Sequence, residues 1–283
     1  MKKKILQAVS GGFDSTYLLI KNLQNGDTVQ PLYVHVNSID KIKQKIESTI
    51  VKNLITKLQV KYDNLNDLKE VEIGIDNIPN IVSDQPIYWT LALFKEVRKN
   101  GYYRNYNEVH IGYILQDAAI SYIPELRALW KALHSFSYPD HDFVVPKLCF
   151  PISKYHKTQI ISSLRYSCDE DILASCWTCE RPDIKKKIRR KDTVELNIEP
   201  CGSCATCLHL KEANSTVFNN MKNYRFILHV NDFKKDVNTS VDKIINKVDF
   251  QRFPDIHVSL EEDKKREKNK PPAANHEVSK VLF

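Results

Sequence analysis

Glycine is scarce, at 7 of 283 residues, and no heptad pattern persists, which excludes a collagen-like or coiled-coil rod. No run of about 18 apolar residues occurs, so no segment reads as a membrane-spanning helix. The opening Met1-Lys2-Lys3-Lys4-Ile5 has neither the apolar region nor the cleavage site of a secretory signal peptide. The expectation is a soluble, cytoplasmic protein with no membrane partner. A disulfide framework is disfavoured too, because the 7 cysteines are odd in number and five of them crowd between positions 176 and 207. The Walker loop G-x-x-x-x-G-K-[ST] is also absent.

What remains is the composition of a globular protein, 42% hydrophobic and 10% aromatic with a net charge of +7. At this length about three-quarters of the unfolded surface can be buried, in one large domain or two modest ones. The charge is uneven: Arg181 to Lys191 holds seven basic residues and one acid, nearly the whole excess. Such a stretch reads either as a solvated loop or as a contact to phosphates.

Along the chain, Ile5-Leu6-Gln7-Ala8-Val9 is a short apolar run, the pattern of a buried strand, and it ends at Ser10-Gly11-Gly12. Thr16 to Leu23 has helical apolar spacing that stops at Asn25-Gly26. Val29 to Val36 predicts a second strand, with Pro31 near its start, where a missing donor matters least. Ile42, Ile46, Ile50 and Leu54 stand four apart in a long amphipathic segment from Ile39 to Leu58. A weak strand follows at Glu70 to Ile75, then a helix from Pro86 to Val97 with proline in its first turn. Glu108 to Gly112 predicts a further strand, and Ala118 to Leu133 a helix broken near Pro124. Strands alternating with helices imply parallel pairing, right-handed crossovers and a doubly wound α/β sheet. Beyond about Asn214 the pattern weakens: Tyr224 to Val230 predicts a strand and Val241 to Val248 a short helix. From Leu260 the residues are mostly charged, as in a solvated tail.

The sharpest signal is Ser10-Gly11-Gly12-Phe13-Asp14-Ser15-Thr16, between a buried strand and a helix. Two glycines allow a tight turn, successive N–H groups make an anion nest, and the helix N-terminus adds its positive dipole end. That arrangement holds a phosphate or pyrophosphate. The hydroxyls of Ser10, Ser15 and Thr16 can donate to phosphate oxygens, while Asp14 beside a polyanion implies an intervening cation, Mg2+. A mere helix cap would explain Asp14 or Ser15 alone. Five fixed positions, by contrast, recur by chance on the order of once in a few thousand chains of this length.

The second signal is Cys176-Trp177-Thr178-Cys179, then twenty-one residues, then Cys201-Gly202-Ser203-Cys204-Ala205-Thr206-Cys207. Pairs of the form C-x-x-C let two sulfurs reach one ion across a tight turn, and four thiolates close a tetrahedral structural Zn2+ site. Five candidates for four places leave one spare.

The S-G-G-x-D-S loop resembles that of the PP-loop ATP pyrophosphatases. The resemblance implies a parallel five-stranded α/β sheet and cleavage of ATP between its α and β phosphates, with adenylation of an oxygen and release of pyrophosphate. It makes Ser10, Gly11, Gly12, Phe13, Asp14, Ser15 and Thr16 the ATP-binding residues, with His35, Val36 and Asn37 bordering the adenine and Asp14 and Ser15 catalytic. The order of parts, loop first and cysteines near residue 200, is similar to the 7-cyano-7-deazaguanine synthase family, whose Ser-Cys-Tyr/Trp stretch is matched by Ser175-Cys176-Trp177. On that likeness Cys176, Cys201, Cys204 and Cys207 hold Zn2+ and Cys179 is the extra thiol. Pro151 to Ile160 resembles a family segment whose lysine falls on Lys157, where an ammonium would neutralise departing pyrophosphate, with Lys154 one turn away as the fallback. Asp117, Ser121, Glu125 and Arg127 match a substrate-binding segment, Glu125 or Asp117 facing a guanine-like edge. Ser83-Asp84-Gln85-Pro86 lacks the arginine that the family places there, and the basic insertion departs from its compact spacing.

The resemblance thus implies adenylation and amidation of 7-carboxy-7-deazaguanine, with that compound and ammonia as partners. Nucleic-acid contact through residues 181–191 and a homodimer are further candidates. A macromolecular target, or a module that only senses nucleotide, are the rival readings. The expected organisation is an ATP-binding α/β domain over 1–165, a C-terminal zinc knuckle with the basic insertion over 166–213, an extension over 214–259 and a charged tail over 260–283.

Overall fold

The structure, a computed structural model, describes residues 2–36, 41–73, 84–99, 106–137, 145–168, 170–179, 183–189, 193–220 and 224–229, all within a compact unit spanning Met1–Lys235. The expectations for Asn37, Ser83, the ends of the basic insertion and everything beyond residue 229 lie outside the described residues. In chain order the elements are β1 (Lys4–Ala8), α1 (Phe13–Gln24), β2 (Thr28–Val36), α2 (Lys41–Gln59), β3 (Lys69–Ile73), α3 (Asp84–Val97), β4 (Glu108–His110), a 3-10 turn (Ala118–Tyr122), α4 (Ile123–Ser137) and β5 (Lys147–Cys149). There follow α5 (Lys157–Ser167), α6 (Glu170–Leu173), β6 (Asp183–Arg189), β7 (Thr193–Glu199), α7 (Ala205–Ala213), α8 (Ser215–Asn220) and β8 (Tyr224–His229). Among the described residues no helix is long and apolar enough to cross a membrane.

The first five strands form one parallel sheet in the order β3-β2-β1-β4-β5. The chain winds outward from β1 to β3, then returns past β1 to β4 and β5. Right-handed crossovers therefore put α1 and α2 on one face and α3 and α4 on the other. The core agrees. Leu6, Ala8, Val34, Val109 and Ile111 pack with Leu93 of α3 and Trp130 of α4 in one buried cluster, while the alternate residues of β1, Ile5 and Gln7, face the other way. Both faces are covered, which is why the inner strands read as continuous apolar runs.

Buried polar residues join sheet to helix, His110 of β4 through Asn22 at 3.1 Å and Gln7 of β1 at two points. Gln7 of β1 donates from Nε2 to the Ser15 carbonyl at 2.8 Å and accepts at Oε1 from Asn22 Nδ2 at 2.9 Å. Its amide is thus satisfied at both ends, and α1 is keyed to the central strand at two points one helical face apart.

One local expectation holds and one changes. The helical stretch from Ala118 is broken near Pro124: a 3-10 turn ends at Tyr122 and α4 starts at Ile123, with Pro124 in its first turn, where a missing N–H has no intrahelical partner to lose. Residues 183–189 are not a loop but strand β6, paired antiparallel with β7, which in turn pairs with β8. The lysine run hid the strand, since the apolar half of the pattern is carried by its neighbours: Leu196 and Ile198 of β7 are fully buried.

Candidate functional site: a sheet crevice and a cysteine cluster

An open parallel sheet gathers ligands outside the carboxyl ends of its strands at the point where the winding reverses. Here that point lies between β1 and β4, and the loop 10–16 leaves β1 there. Gly11 has φ +75°, the left-handed region, and a Cβ on it would stand 3.1 Å from Ile50 Cγ2, so both conformation and space demand glycine. On the other side, Gly112 after β4 lies so close that a Cβ would meet Ser15 Cα at 3.2 Å. The start of α1 is therefore wedged between α2 and the end of β4.

Gly12 is the N-cap of α1 with no side chain to cap it. The N–H groups of the first turn consequently have no partner within the helix. Phe13, fully buried, anchors the turn. The hydroxyls expected to reach a phosphate are engaged inside the loop instead: Ser15 Oγ and Thr16 Oγ1 donate to the Gly12 carbonyl at 3.2 and 2.8 Å, and Ser15 Oγ accepts from Ser10 N at 3.2 Å. They hold the turn's shape, and the anion donors it presents are main-chain N–H groups and the helix dipole.

Asp14 and Lys157, 143 residues apart in sequence, meet here: Lys157 Nζ donates to Asp14 Oδ2 at 2.6 Å. Lys157 is buried, and its main-chain N–H is fixed by Gln116 Oε1 at 2.7 Å; Lys154 is exposed in the preceding turn. The second carboxylate oxygen, Asp14 Oδ1, is buried with no hydrogen-bond partner. An orphaned, buried, hard oxygen at the foot of an anion nest fits Mg2+.

Asp117, after β4, lies within the same electrostatic field. Burial, reinforced by the charge of Asp14, pushes its carboxyl up to about 6, against the opposing effects of the Ile114 N–H, Lys157 and His209. Its Oδ2 accepts from Ile114 N at 2.8 Å. His209, on α7, was not singled out from sequence; it follows the last cysteine by one half-turn of helix, and the pairing of α7 with α5 brings it towards Asp117.

The other expected residues stand apart from this group. Ser121 is exposed and donates to the Ala118 carbonyl at 2.9 Å. Glu125 is exposed in the first turn of α4. Arg127, also exposed, lies over the Phe150 ring at 5.7 Å. His35, near the end of β2, shares a 3.0 Å hydrogen bond with Glu70. Burial would raise the Glu70 carboxyl, but hydrogen bonds from Lys52, Ser48 and His35 hold it at about 2.

The cysteines regroup relative to expectation. Cys179, Cys201, Cys204 and Cys207 bring their sulfurs within 4.8 Å of one another, whereas Cys176 is absent from the group. Its thiol is buried against α1, donates to the Ile172 carbonyl at 3.4 Å and faces Thr16, and burial pushes it up to about 12. Cys179, not Cys176, is the fourth member. Two C-x-x-C partners are interchangeable in sequence, but one side chain of this extended segment turns to the phosphate loop and the other to the knuckle.

The group fits a single tetrahedral ion. Bonds of about 2.3 Å put sulfurs roughly 3.8 Å apart, and Cys179 Sγ to Cys201 Sγ is 3.6 Å. A multi-iron cluster, whose thiolates stand on different irons, needs a wider cage. Main-chain N–H groups of Cys201 and Cys204 already point at sulfur, at 3.3 Å each, the pattern that stabilises thiolates. The neighbouring Cys204 and Cys207 push the Cys179 thiol upward, so that without a cation it keeps its proton.

No protein-family model matches the chain, and no curated protein matches it. Solved structures do. It is similar to an NMN synthetase from Francisella tularensis (12% identity, 60% of this chain and 64% of that one, TM-score 0.38). It is similar also to the U34-tRNA thiolase NcsA from Methanococcus maripaludis with its [4Fe-4S] cluster (12%, 82% and 71%, TM-score 0.36). A third is a predicted subunit of tRNA methyltransferase from Methanocaldococcus jannaschii (11%, 57% and 73%, TM-score 0.31). The chain spans just under two-thirds of the NMN synthetase. These likenesses are loose, and the doubly wound parallel fold stands on the strand order and register themselves.

Proposed function

We propose that the chain is an ATP-dependent adenylating enzyme of the PP-loop kind, releasing AMP and pyrophosphate. The observation that carries the reading is the Asp14–Lys157 pair at the mouth of the 10–16 loop, with Asp14 Oδ1 left buried and unpartnered. A helix N-terminus alone binds anions of many kinds; a buried lysine and a carboxylate oriented by it add the means to neutralise charge that moves during phosphate departure.

In this reading the main-chain N–H groups from Gly12 to Ser15 hold the β and γ phosphates. The substrate carboxylate attacks the α phosphorus, an acyl adenylate forms and pyrophosphate leaves. Lys157 takes up the developing charge on the departing oxygens. Mg2+, held at Asp14, supplies further charge neutralisation when bound. Ammonia then displaces AMP, giving an amide. Catalysis rests on positioning and electrostatics, since ATP brings its own leaving group.

For the substrate we propose 7-carboxy-7-deazaguanine, converted to its amide and, through a second ATP-dependent activation, towards the nitrile. The order of Asp117, Ser121, Glu125 and Arg127 after β4 supports it. Asp117 lies in the electrostatic field of Asp14 and Lys157, and in this reading Glu125 and Arg127 on α4 face the heterocycle. The test is incubation with ATP, Mg2+, ammonia and 7-carboxy-7-deazaguanine, followed by mass spectrometry. AMP, pyrophosphate and a product one oxygen-for-nitrogen exchange away are expected; ADP and phosphate as main products sink the adenylation reading. AMP formation that requires an RNA or protein in place of the deazaguanine would move the target to a macromolecule, a reading that the lysine-rich edge strand β6 favours.

A further inference from the structure

The four residues from Cys176 to Cys179 lie between the phosphate loop and the cysteine cluster, and their polar groups are divided between the two. Trp177 N–H donates to the Gly11 carbonyl at 2.9 Å. The Trp177 indole N–H donates to the Cys179 carbonyl at 3.0 Å, and Thr206, between two cysteines of the knuckle, donates to the Thr178 carbonyl at 2.7 Å. Cys179 Sγ in turn accepts from Cys201 N at 3.3 Å. Cys176, Trp177 and Cys179 are each at most 4% exposed, so water cannot substitute for these partners.

The Gly11 carbonyl is the consequential end of this chain. In a planar trans peptide the C=O of Gly11 and the N–H of Gly12 point in opposite directions. A donor that grips the carbonyl on the Trp177 side therefore aims the Gly12 N–H at the other side, where Ser10 Oγ stands at 3.4 Å. Gly11 at φ +75° is flanked by another glycine, the combination most free to flip, and a flip would present a carbonyl oxygen where the loop needs N–H groups.

We propose that the cysteine cluster is the clamp of the phosphate loop: Cys179, once ligated, fixes Trp177, and Trp177 fixes the Gly11–Gly12 peptide in its anion-binding orientation. Metal occupancy then sets the order of residues 10–16. Trp177 is a positioning residue, acting through its main chain. The proposal rests on the cluster holding metal and gives the loop's anion binding a dependence on it.

The test reads the loop directly. Amide hydrogen exchange is followed on the full chain as purified, after removal of metal by a chelator, and after Zn2+ is added back. Exchange in the peptide covering 10–16 should rise about tenfold or more on stripping and return on re-addition, while the peptides of β2 and α2 stay unchanged. Thr206→Val keeps all four thiols. It should keep its metal and still speed exchange at 10–16 about fivefold, as the loss of one hydrogen bond of ordinary net strength predicts. Unchanged loop exchange in both the stripped protein and the variant overturns the clamp. So does an equal rise in every peptide, which would make the cluster a general support of the fold. Because no nucleotide is present, metal-dependent loop exchange in a protein that fails to bind ATP upholds the clamp and removes only the adenylation reading.

Discussion

The parallel sheet and the cysteine region solve the problem of burial in opposite ways. Around β1 the interior is mainly apolar, and its buried polar side chains are paired, Gln7 with Ser15 and Asn22 and His110 with Asn22. Around Cys179 the interior is sulfur, packed within a few ångströms, and the three-stranded sheet beside it is small. The first region folds on hydrophobic burial; the second gathers four groups that a cation could join into one site. The phosphate loop lies where they touch, with its conformation set from both sides.

The largest expected effect breaks that comparison on the cysteine side. Cys179→Ser should lose the roughly one Zn2+ per chain that a closed four-thiolate site holds and destabilise the region after residue 170. Cys176→Ser should retain the metal, because its thiol faces Thr16 and not the group. Metal content of the two purified variants decides between them; the reverse result restores Cys176 as ligand.

Next in size is the chemistry. Asp14→Ala removes both the partner of Lys157 and the orphaned oxygen, and turnover of ATP to AMP and pyrophosphate should fall by about a hundredfold or more. The thermal midpoint should fall as well, because the buried Lys157 ammonium is left without its partner. A loss of folding with intact residual turnover would show the pair to be structural.

A third prediction tests the loop's backbone. Gly11→Ala forces a Cβ into the left-handed region and against Ile50 at 3.1 Å. The conformational part alone costs roughly 1–2 kcal/mol, which lowers the midpoint by about 2–8 °C in a domain of this size. Thermal unfolding monitored by circular dichroism measures it. An unchanged midpoint would mean that the loop readily leaves this conformation, and would weaken the clamp as well.

These residues differ in how legible they were. The loop was readable because its six positions are contiguous and bounded by a strand and a helix. The alternation of elements gave the parallel sheet, but β5 spans only Lys147–Cys149, too short for any period to register. The Asp14–Lys157 contact follows from the packing of α5 against α1; the loop alone does not contain it. Cys176 and Cys179 have equivalent spacing to the knuckle, and the choice between them depends on which way an extended segment turns its side chains. His209 had no motif to mark it, and only the packing of α7 brought it to Asp117.

The smallest effect lies at the crevice itself and concerns pH. The Asp117 carboxyl rises from its ordinary 3.8 to about 6 in the folded chain, chiefly through burial. The native state therefore holds this proton more tightly than the unfolded chain does, and between about pH 4 and pH 6 it binds more protons. Stability from this group then falls as pH rises through that window and stays lower above it. Asp117→Asn keeps an acceptor for the Ile114 N–H but cannot ionise, so it should remove the fall. Wild type and variant should be about equally stable at pH 4, and at pH 7 the variant should be the more stable by about 1 kcal/mol, a reduced share of what the full shift would give because the side chain is partly exposed. Denaturant unfolding at the two pH values measures the difference. If wild type instead gains on the variant as pH rises, Lys157 and His209 hold Asp117 as an anion. In the adenylating reading proposed above, a carboxyl kept at a cost to stability beside Asp14 and Lys157 is one whose ionisation the reaction would use. The same variant should accordingly lose activity while gaining stability, an opposition absent from any residue of the sheet core.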